Sequence, residues 1–324
     1  MINYGKQSIN QDDIDSVIEV LKSDFLTQGP KVPEFEEDLK KYCQAKYSKV
    51  VSNATSALHL AYLAVGLQKG DIVWTSPNTF VSTANAALYC GATVDFIDID
   101  PNTYNISIDC LKEKLVQAKK DNKLPKLVVP VHFAGQSCNM EAIWELSKEY
   151  KFKVVEDASH ALGGEYQGKK IGSCKYSDMS VFSFHPVKMI TTGEGGAVTT
   201  NSKYLDEKVS LLRTHGITKD HSQFEYKPHG DWYYEQQSLG YNYRLTEIQA
   251  ALGISQLKRL DSFVLKRREV AEFYLQNLDQ NITPTQHSDT NSSWHLFVVQ
   301  VRNRQKIYQQ LKDSGIQSQV HYIP

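Results

Sequence analysis

Residues 127–157 decide the fold of this chain, and they read LVVPVHFAGQSCNMEAIWELSKEYKFKVVED. The stretch begins with the apolar run Leu127 to Val131 and ends with the apolar pair Val154-Val155. Runs that are apolar throughout, rather than alternating with polar residues, are typical of strands buried on both faces of a sheet. Because an amphipathic helical pattern at Met140 to Tyr150 separates the two runs, the stretch predicts two parallel strands joined by a helical crossover.

The same alternation of strands and helices extends outward from about residue 49 to residue 200. The predicted strands are Val50-Val51, Ile72 to Thr75, Thr93 to Ile97, Leu127 to Val131, Val154-Val155, Ser180 to Phe184 and Ala197 to Thr200. The predicted helices are Asp12 to Lys22, Ser56 to Leu67, Ser82 to Cys90, Ile108 to Ala118 and Met140 to Tyr150. This order predicts a doubly wound α/β domain with a mostly parallel seven-stranded sheet flanked by helices.

The pattern changes after residue 200. One or two long helices are predicted over residues 245–274, and a polar linker follows at 280–293. A strand at His295 to Val301, a helix at Gln305 to Ser314 and a strand at Ile316 to Val320 then indicate a smaller α/β layer. We expect a large domain at residues 1–250 and a smaller domain at 251–324, which the sequence leaves incomplete.

Composition excludes several classes of protein. The chain has 324 residues and a formal net charge of −1, and a nucleic-acid-binding protein would instead carry a basic surface. No apolar run approaches the ~18 residues of a membrane span, and the N-terminus has no apolar signal core. The five cysteines form no CxxC pair, a usage typical of a reducing compartment. We therefore expect a cytoplasmic protein with no membrane or nucleic-acid partner.

Polar residues recur at the predicted carboxyl ends of the strands, where open parallel sheets bind ligands. The stretch Asn53-Ala54-Thr55-Ser56 leads directly into a predicted helix, whose unpaired N–H groups and positive dipole end can bind a phosphate. The same stretch also fits an ordinary helix N-cap. The chain has no GxxxxGK[ST] loop and no GxGxxG after its first strand, which argues against the common nucleotide-binding motifs.

Two further strand ends carry charged side chains. Asp157 ends a buried strand, so its carboxylate should face a cation: a metal, an arginine or a protonated ring nitrogen. We do not expect a metal there, because a metal would need further ligands nearby and the candidates His132, His160 and His185 lie on different segments. Lys188 follows the strand end Ser183-Phe184 and is flanked by Pro186 and a glycine-rich turn, a setting that can make an amine nucleophilic. An exposed loop lysine is the alternative.

Taken together, these features suit one cofactor. Pyridoxal phosphate requires a phosphate-binding cup, an aromatic face such as Phe80, an anion at its pyridine nitrogen and a lysine. The combination is much more specific than any of its parts.

At this point the sequence resembles the fold-type-I pyridoxal-phosphate sugar aminotransferases of the DegT/StrS family. The resemblance covers the whole chain and rests on separated motifs: residues 52–58 (SNATSAL), 156–161 (EDASHA), 183–188 (SFHPVK), 193–196 (GEGG) and 240–246 (GYNYRLT). Residues 73–80 (VWTSPNTF), 87–92 (ALYCGA), 130–138 (PVHFAGQSC) and 320–324 (VHYIP) are similar to the branch of the family that acts on UDP sugars in pseudaminic acid biosynthesis.

The resemblance implies roles for the cofactor-binding residues. Lys188 would form the internal aldimine with pyridoxal 5′-phosphate and then move the proton between the cofactor carbon and the sugar C4, and Asp157 would hold the pyridine nitrogen protonated. The other implied cofactor contacts are Ala54, Thr55, Ser56, Phe80, His160 and Ser183. Asn242 would reach the phosphate of the other subunit, so the active unit would be a homodimer with composite sites.

The resemblance also implies the substrates. The enzyme would transfer an amino group from L-glutamate to C4 of a UDP-linked 4-keto-6-deoxy-N-acetylhexosamine. The side chains implied to border the sugar-nucleotide pocket are Tyr4, Asp24, Phe25, Leu26, Thr27, His321, Tyr322, Ile323 and Pro324. Another 4-keto sugar nucleotide, of the UDP-D or dTDP series, is the first alternative, and a non-catalytic protein that retains the fold is the second.

The chain departs from the family pattern at its C-terminus. Family members continue past the VHYIP segment with residues that finish the small domain. The chain is therefore either a truncated form or part of a longer protein, and we expect it to bind the cofactor.

Overall fold

A seven-stranded sheet forms the centre of the computed structural model, which describes residues 1–323. Its strands, in chain order, are β1 (Tyr47–Val51), β2 (Ile72–Thr75), β3 (Thr93–Phe96), β4 (Leu127–Val129), β5 (Lys153–Asp157), β8 (Met179–Ser183) and β9 (Gly196–Thr200), with the short hairpin β6 (Glu165–Tyr166) and β7 (Lys169–Lys170) between β5 and β8. The spatial order is β1-β9-β8-β5-β4-β2-β3. All seven predicted strands are present, so the predicted α/β class with a seven-stranded sheet is confirmed.

Only β9 runs against the other six strands. It pairs antiparallel with both β1 and β8, while β2, β3, β4, β5 and β8 pair in parallel. Parallel neighbours need a crossover long enough to contain a helix, and the twelve-residue connection at 184–195 contains none. The chain therefore turns back after Ser183 and places the loop that carries Lys188 at the carboxyl edge of the sheet.

Helices cover both faces of the sheet. The first seven are α1 (Gln11–Leu21), α2 (Lys31–Cys43), α3 (Ala54–Ala64), α4 (Ser82–Tyr89), α5 (Ile108–Lys120), α6 (Met140–Tyr150) and α7 (Lys203–Leu212). Two of them, α2 and α7, were not predicted. Helix α3 is buried almost all round, because it packs between the sheet, α4 and α7.

The C-terminal part is more irregular than predicted. Residues 245–274 form two helices, α8 (Glu247–Leu257) and α9 (Leu260–Asn277), and α10 (Arg304–Asp313) also agrees with its prediction. The short strands β10 (Ile217–Thr218) and β11 (Glu235–Gln236) pair with each other, and β12 (Thr290–Asn291) pairs with β6. No described helix has the length and apolar character that a membrane span requires.

The prediction of two strands near the C-terminus is wrong. Residues 295–301 form no ladder, and Ile316 makes only an isolated bridge to Ile2. The backbone N–H and C=O groups of a strand need hydrogen-bond partners on a neighbouring strand, and neither segment has such a neighbour among the described residues. Residues 293 and 296 instead donate backbone hydrogen bonds to Gly135 and Ala134. The boundary between the two domains stays a prediction.

Candidate active site

A cavity of about 930 Å³ lies at the carboxyl edge of the central sheet, where open parallel sheets bind ligands. It is lined by side chains from the ends of β1, β5 and β8 and by both termini of the chain. Of the predicted site residues it brings together Tyr4, Ala54, Thr55, Ser56, Phe80, Asp157, His160, Ser183, Lys188, His321 and Tyr322. Residues separated by more than 300 positions in sequence thus share one cavity.

The N-terminus of α3 forms one wall of the cavity. Asn53 caps this helix: its side-chain oxygen accepts from the Ser56 amide at 2.8 Å and from the Ser56 hydroxyl at 3.0 Å. The amides of Ala54 and Thr55 have no partner among residues 1–323, which is normal for the first turn of a helix. These amides, the Thr55 hydroxyl and the positive end of the helix dipole are donors of the kind that bind a phosphate.

Gly196, the first residue of β9, packs closely against the backbone at the start of this helix. A Cβ at Gly196 would lie 2.6 Å from the Asn53 carbonyl carbon and 2.7 Å from the Ala54 amide nitrogen, both of which are backbone atoms. The first turn of α3 therefore sits directly on a residue that has no side chain.

We expect Gly196→Ala to displace this turn and to destabilise the protein by about 1–3 kcal/mol, the usual cost of overpacking. Thermal unfolding of the variant, compared with Gly5→Ala, measures the effect. Gly5 is a suitable control because a Cβ there would meet only Val187, at 3.8 Å. Equal unfolding temperatures for the two variants would contradict the close approach.

Asp157 ends β5 and is only 4% exposed. Its Oδ2 accepts from the Thr83 hydroxyl at 2.6 Å, and its Oδ1 accepts from the Ser159 amide at 3.1 Å. No nitrogen of a lysine, arginine or histidine within residues 1–323 forms an ion pair with this carboxylate. Two neutral donors therefore hold a buried carboxylate that faces the cavity.

Lys188 lies on the loop between β8 and β9. Burial lowers the pKa of its amine to about 8, although the nearby charge of Asp157 acts in the opposite direction. A large fraction of the amine is therefore neutral at slightly alkaline pH, which is the form that attacks a carbonyl carbon. Its side chain makes no hydrogen bond within the part of the chain that the structure describes.

His160 packs between Phe133, His295 and Tyr322. Its Nδ1 accepts from the Ala134 amide at 3.3 Å, and its Nε2 lies 3.1 Å from the Tyr322 hydroxyl. Burial, with the charge of Lys188 nearby, moves the pKa of His160 well below its ordinary value. The ring is therefore neutral, with its proton on Nε2.

Phe80 and Ser183 complete the predicted cofactor contacts in the cavity. Phe80 is 58% exposed, which leaves area of its side chain for contact with a planar partner. The Ser183 hydroxyl accepts from the His185 amide at 3.4 Å, a long hydrogen bond. Two further lining residues, Tyr4 and His321, lie close together, with the Tyr4 hydroxyl 2.9 Å from His321 Nε2.

Several predicted residues lie outside the cavity of the chain that carries them. Asn242 is exposed and forms an isolated β-bridge with Thr214. The stretch 24–27 is also exposed, and its Thr27 forms an isolated β-bridge with Thr246. Ile323 is 87% exposed, and Pro324 lies outside the described residues. Asn242 and Thr246, the bridge partner of Thr27, lie four positions apart on one segment.

Sequence reasoning missed other residues that line the cavity, notably Thr79, Tyr89, Tyr243, His295 and Gln319. Thr79 and Tyr243 flank residues that were singled out, Phe80 and Asn242, so their position in the motifs could have indicated them. His295 was assigned to a strand, and no local signal places it beside His160. Of the three histidines considered as metal ligands, His132 instead pairs with Glu156, its Nε2 lying 2.6 Å from Oε2.

Comparisons with known proteins agree with this geometry. Residues 7–324 match the model of the DegT/DnrJ/EryC1/StrS aminotransferase family. The UDP-4-amino-4,6-dideoxy-N-acetyl-beta-L-altrosamine transaminase of Campylobacter jejuni strain 81-176 is 45% identical over 332 residues, which cover 100% of this chain and 84% of that protein.

Two solved structures are similar over the full chain. Helicobacter pylori PseC, an aminotransferase involved in the biosynthesis of pseudoaminic acid, has a TM-score of 0.89 at 38% identity and covers 100% of this chain and 85% of its own. Spr1654 of Streptococcus pneumoniae, a sugar aminotransferase solved in its PMP form, has a TM-score of 0.89 at 28% identity, with 100% and 86% covered. The chain therefore belongs to the DegT/DnrJ/EryC1/StrS aminotransferase family.

Proposed function

We propose that this protein transfers an amino group from L-glutamate to C4 of a UDP-linked 4-keto-6-deoxy-N-acetylhexosamine, with pyridoxal 5′-phosphate bound through Lys188. One observation carries the proposal: an anion-binding helix start, a buried carboxylate and a lysine of lowered pKa meet in one cavity. These are the groups that the phosphate, the ring nitrogen and the aldehyde of this cofactor require.

The residues present fit the cofactor. The amides of Ala54 and Thr55, the Thr55 hydroxyl and Ser183 would bind its phosphate, and Ser56 would act indirectly, because its amide and hydroxyl already donate to Asn53. Phe80 would stack on the ring, and His160 would lie at its edge. When bound, pyridoxal phosphate supplies an electron-withdrawing ring that stabilises negative charge on the carbon next to the transferred nitrogen.

The reaction itself would use two side chains of this protein. The Asp157 carboxylate would keep a proton on the ring nitrogen, because a buried anion stabilises a cation beside it. The Lys188 amine would remove a proton from Cα of glutamate and later deliver one to C4 of the sugar. An amine with a pKa of about 8 suits both tasks, since it exchanges protons near physiological pH.

The choice of sugar rests on the relatives. The C. jejuni and H. pylori proteins are named for the altrosamine derivative and for pseudoaminic acid, and they are 45% and 38% identical to this chain. Tyr4, His321 and Tyr322 border the cavity and would contact the sugar nucleotide. An aminotransferase for another 4-keto sugar nucleotide remains the second candidate, because the spore coat polysaccharide biosynthesis protein SpsC of Bacillus subtilis is 41% identical.

We further propose a homodimer with composite sites. Asn242 and residues 24–27 would then contribute to the cavity of the partner copy, since they are exposed and lie outside the cavity of their own chain. Ile323, which follows the cavity residue Tyr322, would lie near the opening of the cavity. The five cysteines are all free, which fits the proposed cytoplasmic location.

The purified protein, incubated with pyridoxal phosphate, is expected to develop an absorption band at the blue edge of the visible. L-glutamate should remove the band, and the UDP-linked 4-keto-6-deoxy-L-sugar should restore it and give an aminated product by mass spectrometry. The same sugar without glutamate is the control. A product from a dTDP sugar alone would reject the proposed substrate, and a protein that stays colourless would reject the enzyme.

A further inference from the structure

Asp157 accepts a hydrogen bond from a residue that does not line the cavity. Thr83 lies in the first turn of α4, is 0% exposed and donates its hydroxyl hydrogen to Asp157 Oδ2 at 2.6 Å. Its backbone is fixed as well, because the Tyr62 hydroxyl donates to the Thr83 carbonyl at 3.0 Å. Thr83 is therefore a rigid donor to Asp157 that does not itself line the cavity.

The direction of the hydrogen bonds next to Thr83 follows from counting hydrogens. A threonine hydroxyl has one hydrogen, and an ionised carboxylate can only accept. Since the Thr83 hydrogen goes to Asp157, the contact of 2.7 Å between the hydroxyls of Thr79 and Thr83 requires Thr79 to donate. The chain of donors therefore runs from Thr79 to Thr83 to Asp157.

This chain of donors sets the orientation of the carboxylate. Each carboxylate oxygen has two acceptor positions, and one on each oxygen is already used, by Thr83 and by the Ser159 amide. The two donors fix the plane of the carboxylate and leave its other acceptor positions for the cavity. Thr79 also precedes Phe80, so one short segment positions both the carboxylate and the aromatic face.

We propose that Thr83, oriented by Thr79, is a positioning residue that aims the Asp157 carboxylate at the ring nitrogen of the cofactor. The inference rests on the proposed function. Thr83 would thereby strengthen the interaction between the Asp157 carboxylate and the ring nitrogen, because a carboxylate free to rotate would interact less with that nitrogen.

Thr83→Val tests the proposal, because valine has nearly the same shape as threonine and no hydroxyl. We expect about tenfold weaker binding of pyridoxal phosphate in equilibrium dialysis, as for the loss of a hydrogen bond to a charged group. The pH midpoint of the absorption change of the bound cofactor should also rise, because a less positive ring nitrogen makes the rest of the chromophore easier to protonate. Thr83→Ser, which keeps the hydroxyl, should stay within about twofold of the wild type.

Thr75→Val is the matched control. Thr75 is also 0% exposed and donates its hydroxyl hydrogen to the Val129 carbonyl at 2.8 Å, so that hydrogen does not go to Asp157. Equal cofactor affinity and equal pH midpoints for Thr83→Val and Thr75→Val would overturn the inference.

If Thr83→Val does not fold, Thr79→Val decides the question. A roughly threefold loss of affinity together with the rise in the pH midpoint supports the chain of donors, and wild-type behaviour refutes it. Failure of the proposed function would look different, because the wild-type protein itself would then bind no cofactor.

Discussion

Lys188→Ala is expected to lower the rate of sugar amination by at least about 10³-fold, the combined cost of losing a covalent attachment and a general acid and base. The stability of the fold should stay close to that of the wild type. The Lys188 side chain makes no hydrogen bond among the described residues, and burial already disfavours its charged form. The amination rate, followed by mass spectrometry, and thermal unfolding together measure the two effects.

Two variants serve as controls for this result. Lys188→Arg keeps a positive charge but removes the nucleophilic amine, so it should be about as inactive as the alanine variant. Lys203→Ala removes a lysine that is 75% exposed and pairs with Glu207 on the surface, so it should retain full activity. If Lys188→Ala kept more than about one tenth of the wild-type rate, the amine would not perform the proposed proton transfers.

The second large effect is expected for Asp157→Asn, which keeps the size of the side chain and removes its charge. We expect the turnover rate to fall about 10²–10³-fold, as for other groups that stabilise charge in a dry site. Binding of the cofactor should also weaken, because a neutral amide does not attract the protonated ring nitrogen as the carboxylate does. The turnover rate at saturating cofactor separates the two losses.

Asp178→Asn is the control for this prediction. Asp178 precedes β8 at the opposite edge of the sheet, where it accepts from Lys153 at 3.0 Å and from the Val154 amide at 2.9 Å. Its replacement should change stability but leave the turnover rate near the wild type. An Asp157→Asn variant as active as Asp178→Asn would exclude a role of the carboxylate at the ring nitrogen.

Local sequence patterns predicted most of the central sheet. All seven strands were placed within a few residues, because buried parallel strands are apolar throughout and differ clearly from the amphipathic helices between them. The direction of β9 was not predicted, since an apolar run looks the same in either direction. Strands at 295–301 and 316–320 were predicted wrongly, because strand-forming residues do not form a ladder without a neighbouring strand.

Residues of the candidate site were predictable where their motif directly follows a predicted strand. The Asn53 cap, the carboxylate at the end of β5 and the lysine after β8 each follow a strand, and the carboxyl ends of strands meet at one edge. Thr83 was not predictable as a partner of Asp157. The two residues are 74 positions apart, and a buried threonine in a helix is ordinarily only part of the core.

The sequence by itself determined the class of fold, the family resemblance and the residues that would do the chemistry, because each depends on local patterns and separated motifs. Only the tertiary structure decided how those residues are held: which donors fix Asp157, which proton His160 carries, and that Asn242 and residues 24–27 lie away from the cavity of their own chain. The reason is physical. Hydrogen-bond partners and burial depend on distances between segments remote in sequence, and those distances exist only after the sheet has assembled.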